Sequence, residues 1–263
     1  MQFCRSRRQA EHSMKLVPLL LGLVGASGLL VSSTLLAEVH LPNASKASNL
    51  ESLIEHTPDS PVRKVTLDIP AGSYFAEPGS RGLLKYLVSC ALGADTHAQL
   101  KLPDETLTLT GNVGLAPGWA ARGMTLAEQR WVSACMFALT NRLGINVRIS
   151  IRGNHPSIAE STITDDERRT YRLHEAGFFG NLFAPDPVGY VCEGVDRERM
   201  LEVPVGKSRL CAQPSGLRNA AGQAISQCGF VITGACNSPA SFGVHGDRYD
   251  AVVHTWVSAE PAN

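Results

Sequence analysis

Several things are missing from this chain, and each absence excludes a class of function. There is no excess of positive charge: Lys and Arg together number 24, Asp and Glu 24. If cleavage follows Ala37, the remaining chain keeps 20 basic and 23 acidic side chains. Nucleic-acid binders carry a basic stripe or patch, so no nucleic-acid partner is expected. A polyanion or membrane-surface role is disfavoured on the same ground. No two cysteines stand in a C-x-x-C pair, which removes the common structural zinc signature. No G-x-S-x-G elbow, no G-x-x-x-x-G-K-[ST] loop and no Rossmann glycine pattern after a strand is present. No cofactor is therefore expected. His174 is followed four residues later by Phe178 rather than a second histidine, so the zincin pattern is absent as well. Internal repeats and low-complexity tracts are also lacking.

What is present starts with an apolar run. Residues 16–37 follow a positive segment (Arg5, Arg7, Arg8, Lys15) and end at the small residue Ala37. This reads as an export signal. The run is also long enough to span a bilayer, so an uncleaved inner-membrane anchor is the alternative, and the only expected membrane contact. Of seven cysteines only Cys4 precedes the run; Cys90, Cys135, Cys192, Cys211, Cys228 and Cys236 all follow it. An even cysteine count in an exported chain predicts disulfides and a secreted or periplasmic location. Cys90 and Cys135 lie on apolar faces of predicted helices and are expected to pair. The last four are expected to form two bridges among themselves, with the connectivity open.

The domain plan has three parts. Residues 1–37 are the signal, 38–61 a flexible linker rich in Ser, Asn, Pro and Glu, and 62–263 a single disulfide-stabilised domain. Val65, Leu67 and Ile69 alternate with polar residues as a strand. Residues 81–92 read as a helix apolar nearly all round, hence buried. Residues 99–110 read as a hairpin, and Gly114–Arg122 as a loop carrying Trp119. Thr125 and Glu128 form a capping box opening a helix that Gly144 should end. Val147, Ile149 and Ile151 alternate with Arg148, Ser150 and Arg152 as an amphipathic strand. A second box, Thr164 with Glu167, opens a short charged helix. Short strands are predicted around 189–192, 209–211, 228–232 and 251–257. The fold class is thus α+β: two early buried helices with a hairpin, then a turn-rich set of short, mostly antiparallel strands, stapled by disulfides.

Candidate chemistry is sparse. His174 beside Glu175 could act as a general base oriented by a carboxylate. Phe178 and Phe179, with Trp119, would form a recognition patch if exposed; core positions are the alternative. His245, Asp247 and His254 offer three metal-competent side chains, against a plain Gly246-Asp247 turn.

Two stretches, Thr125-Leu126-Ala127-Glu128-Gln129-Arg130-Trp131-Val132-Ser133-Ala134-Cys135 and Glu175-Ala176-Gly177-Phe178-Phe179-Gly180-Asn181-Leu182-Phe183, resemble segments of uncharacterised secreted bacterial proteins. The resemblance implies export and a bacterial origin, and carries over no catalytic residue, fold or ligand. The sequence therefore points first to a non-catalytic binding protein of the envelope or medium, with an unknown protein or glycan partner. A secreted hydrolase, possibly metal-assisted and acting on an envelope or extracellular polymer, is the alternative.

Overall fold

A computed structural model describes residues 54–56, 64–68, 81–141 and 147–259. The expected signal 1–37 lies outside the described residues, as do Ile69 and Gly144. Of the expected linker 38–61 only Ile54–His56 is described, and it is a strand.

Two sheets and two main helices make an α+β fold. The first sheet has the order β1 (Ile54–His56), β2 (Lys64–Asp68), β3 (His97–Lys101), β4 (Thr106–Thr110). The β2–β3 pair is parallel and the others are antiparallel. Parallel strands need a crossover connection, and it contains helix α1 (Arg81–Ala91). This helix is amphipathic rather than buried all round. Leu84, Leu87, Val88 and Cys90 face the core, whereas Lys85 and Tyr86 are exposed. The expected hairpin is β3 and β4, joined through Leu102–Glu105.

Helix α2 (Leu126–Leu139) opens with the capping box read from Thr125 and Glu128. It stops at Thr140, before Gly144. Thr140 is extended, its N–H donates to the Phe137 carbonyl, and Arg209 binds the carbonyls of Ala138 and Thr140. These contacts satisfy chain-end carbonyls that a longer helix would otherwise have paired internally. Residues Val132 to Ala138 are buried on every side, because α2 lies between α1 and the second sheet.

The second sheet has seven strands: β5 (Ser150–Arg152), β6 (Tyr171–Asn181), β7 (Val188–Glu193), β8 (Pro214–Arg218), β9 (Ala224–Ser226), β10 (Val231–Ala235) and β13 (Val253–Ser258). Their spatial order is β5-β13-β6-β7-β10-β9-β8. All neighbours are antiparallel except β7 and β10. A small hairpin, β11 (Gly243–Val244) with β12 (Asp247–Arg248), stands apart. The short helices α3 (Asp165–Thr170), α4 (Arg197–Glu202) and α5 (Pro204–Ser208) connect strands. Thr164 caps α3 as read from sequence. Arg209–Cys211, expected as a strand, follows α5 without strand pairing, because the Arg209 side chain is drawn to α2 and Glu175. Residue 146 of the expected amphipathic strand 146–152 lies outside the described residues; of the rest only β5 is a strand, and its polar side chains Ser150 and Arg152 are buried.

Three disulfides hold this together: Cys90–Cys135 between α1 and α2, Cys192–Cys236, and Cys211–Cys228. In the chain-entropy picture the Cys90–Cys135 bridge, closing a 45-residue separation, stabilises by about 4 kcal/mol. Three such bridges mark an extracellular or periplasmic location. Among the described residues no helix is long and apolar enough to cross a membrane.

Candidate functional site

The most unusual grouping of side chains lies on the face of the second sheet turned away from α2. It is built by a bulge. Thr255 pairs with Ala176, but the next residue, Trp256, pairs with His174, so Glu175 is the extra residue. Side chains alternate along a strand, so without the bulge His174 and Gly177 would face opposite sides. With it, His174 joins Trp256 and His254 on one face. Glu175 is freed to point the other way.

Across the sheet, His254, Gly177 and Cys192 form one row. Gly177 has no side chain, and a Cβ there would stand 2.8 Å from the Cys192 sulfur and 2.9 Å from the His254 ring. Glycine is what lets the imidazole and the Cys192–Cys236 disulfide meet over the middle strand.

A ladder of flat groups results. The Arg152 guanidinium lies 4.5 Å from the centre of the Trp256 ring. Trp256 stacks on His174 with centroids 4.7 Å apart. His174 Nε2 lies 3.0 Å from His254 Nδ1, and Phe242 packs edge-on against His254. Arg152 is held by donating to Ser150 Oγ and the Tyr171 carbonyl, at 3.0 and 2.9 Å, with Glu160 3.7 Å away. The His174 backbone N–H donates to Asp196 Oδ2.

Burial disfavours charge on both imidazoles. It lowers His174, and Arg152 adds to this while Asp196 opposes it. Burial, with repulsion from His174, brings His254 down to about 4. The pair is neutral at pH 7, one ring nitrogen donating to the other. The nearest atoms of His174, His254 and Cys236 all lie within 4.8 Å of one another, with the sulfur held in its disulfide.

Few of the sequence candidates assemble as expected. Glu175 does not orient His174. Its carboxylate is buried against Arg209, whose Nε donates to both oxygens at 3.1 Å. The general-base pair is therefore not formed: adjacent side chains of a strand point to opposite faces, and the bulge puts His174 on the His254 face and Glu175 on the α2 face. Phe178, Phe179 and Trp119 are fully buried and form no surface patch. Phe178 packs edge-on against Phe230, and Phe179 stacks on Tyr190. Phe178→Ala is expected to cost about 3–5 kcal/mol, read as a lower denaturant midpoint. An unchanged midpoint would contradict its place in the core.

His245 and Asp247 do not meet His254. His245 and Gly246, both at positive φ, make the two-residue turn of the β11–β12 hairpin, as such turns require. Both His245 and Asp247 are exposed, and Asp247 faces Arg130 at 3.6 Å. Sequence reading missed Arg152, Trp256 and Arg209. The Val253–Ser258 alternation was the available clue to Trp256, since it sets His254 and Trp256 on one side. Compared with models of known protein families, with curated proteins and with solved structures, the chain finds no match in any of the three.

Proposed function

We propose that the chain is an exported, non-catalytic binding protein of the bacterial envelope or medium, and that its partner is a polypeptide segment added as a strand beside β4. The free edge of β4 is the observation that carries this reading. Among the described residues β4 ends the first sheet, with β3 on one side and nothing paired on the other. It reads Thr106-Leu107-Thr108-Leu109-Thr110. Leu107 and Leu109 pack towards the core, and the three threonines are exposed.

The hydrogen-bond phase of β4 follows from its ends. Leu102 N–H donates to the Glu105 carbonyl, and Gly111 N–H to the Thr96 carbonyl. In an antiparallel pair bonded and non-bonded positions alternate. Leu107 and Leu109 therefore bond to β3, and the N–H and C=O groups of Thr106, Thr108 and Thr110 point outward. Edge strands are normally blunted by charge, proline or bulges. This one has none of them, and its register with β3 is unbroken. Strand addition uses such an edge, the backbone giving affinity and alternate side chains giving selectivity.

The engagement of Glu175 by Arg209 and of His174 by His254 supports a non-catalytic role. The apolar run 16–37 and the resemblance to secreted bacterial proteins support export and source. A photoreactive residue placed at position 108 is expected to crosslink the exported protein to another polypeptide in the cells that make it. The same group at exposed Arg218 should not. Crosslinking to glycan, or to nothing, would contradict the reading. Capture of a second copy alone would replace it with self-pairing, which the palindromic Thr-Leu-Thr-Leu-Thr permits.

A further inference from the structure

We propose that the Cys192–Cys236 disulfide masks a metal site, and that its reduction leaves His174, His254 and Cys236 to bind one borderline-soft ion such as Zn2+. The strand-addition reading does not involve these residues. Three observations on the same face carry the proposal. His174 Nε2 and His254 Nδ1 face each other at 3.0 Å. Two zinc-bound imidazole nitrogens are about 3.3 Å apart, and a zinc-bound nitrogen and sulfur about 3.6 Å, from ordinary bond lengths and tetrahedral angles. The Cys236 sulfur is already within 4.8 Å of one ring nitrogen of each histidine, and opening the disulfide frees its side chain to close the remaining gap. Second, the row is cleared by Gly177, where any side chain would collide with Cys192 and His254. Third, both rings are oriented from outside. Trp256 stacks on His174 and Phe242 packs on His254. Such outer contacts are what fix ligating imidazoles.

The chemistry balances with a dithiol reductant. Its thiolate attacks the Cys236 sulfur, Cys236 being the less deeply buried residue of the pair, at 8% exposure against none for Cys192. Cys192 leaves as a thiolate and takes up a proton. The second thiol of the reductant then displaces Cys236, and the reductant departs as its own disulfide, having supplied two electrons and two protons. Zn2+ binding releases the proton of the Cys236 thiol, and water fills the fourth position. Neutral imidazoles are ready ligands, with no proton to lose.

The test avoids reducing the other two bridges. Cys192→Ser leaves Cys236 as a free thiol with Cys90–Cys135 and Cys211–Cys228 intact. This variant is expected to bind one Zn2+ per chain, and Co2+ should give a thiolate-to-metal charge-transfer band. The oxidised wild-type protein should give no such band. Adding His254→Ala or His174→Ala to Cys192→Ser should weaken binding at least tenfold. A folded Cys192→Ser protein without metal binding, or binding indifferent to both histidines, would overturn the proposal. If Cys192→Ser does not fold, the wild-type protein reduced with a phosphine is alkylated with and without Zn2+. Selective protection of Cys236 supports the site, and equal labelling overturns it.

Discussion

Arg209→Leu is expected to destabilise the protein by about 3–5 kcal/mol, the cost of leaving a buried charge without its partner. The side chains of Arg209 and Glu175 are 2% and 0% exposed. Arg209 also donates to the Ala138 carbonyl at 2.8 Å and the Thr140 carbonyl at 3.1 Å. One guanidinium thus neutralises the bulged carboxylate and closes the end of α2, where positive charge complements the helix dipole. Leucine supplies neither, and Glu175 is left in a dry interior. For a domain of this size the loss corresponds to a fall in Tm of roughly 6–20 °C. Adding Glu175→Leu to Arg209→Leu removes both charges, and should recover more than half of the loss, because well-packed apolar replacements of buried pairs are tolerated. The helix-end carbonyls stay unpaired, so recovery is incomplete. A loss below about 1 kcal/mol for Arg209→Leu would contradict this account of the pair.

The second large effect is a loss of stability in mild acid. An unfolded histidine titrates at about 6.5. His254 in the folded protein titrates at about 4, so between these values the unfolded chain binds the extra proton and is favoured. Stability is therefore full above about pH 6.5 and falls as the pH drops towards 4. The expected loss from His254 is on the order of 3 kcal/mol. His174 is shifted in the same direction and adds to the loss. Arg152 and Asp196 act on His174 with opposite signs, and the Cys192–Cys236 bridge does not titrate. Urea melts of the wild type across this window should show the midpoint falling with pH, and His254→Phe should flatten the dependence. Equal slopes in the two proteins would show that the buried imidazole pair is not its source.

How much of this was legible in the sequence depended on range. The signals at Thr125 and Thr164 are local, three residues deep: the first appears as the full capping box, the second as the Thr164 cap on the Glu167 N–H. Cys90 and Cys135 could be paired because each lay on an apolar face of a predicted helix, and those faces meet. The last four cysteines were legible as two bridges but not as Cys192–Cys236 and Cys211–Cys228, since strand order decides which come together. Adjacency misled at His174-Glu175. Adjacent side chains in a strand point to opposite faces, and the bulge that decides which face each takes leaves no mark in the local pattern. Arg209 is 34 residues from Glu175 and read as part of a strand. Arg152 looked like the solvent side of an amphipathic strand, until Trp256 from the far end of the chain covered it. The free edge of β4 was equally hidden, because a hairpin does not reveal which of its strands gains a second neighbour.

Hydrogen exchange along β4 tests the central claim most directly. In the isolated protein the amides of Thr106, Thr108 and Thr110 should exchange rapidly, and those of Leu107 and Leu109 slowly. Adding the polypeptide captured from position 108 should protect the three threonine amides and leave the leucine amides as they were. Thr108→Pro removes the central outward N–H while sparing the ladder to β3, and should fold yet lose this binding. Threonine amides already protected in the isolated protein, or unchanged on binding, would contradict strand addition at this edge.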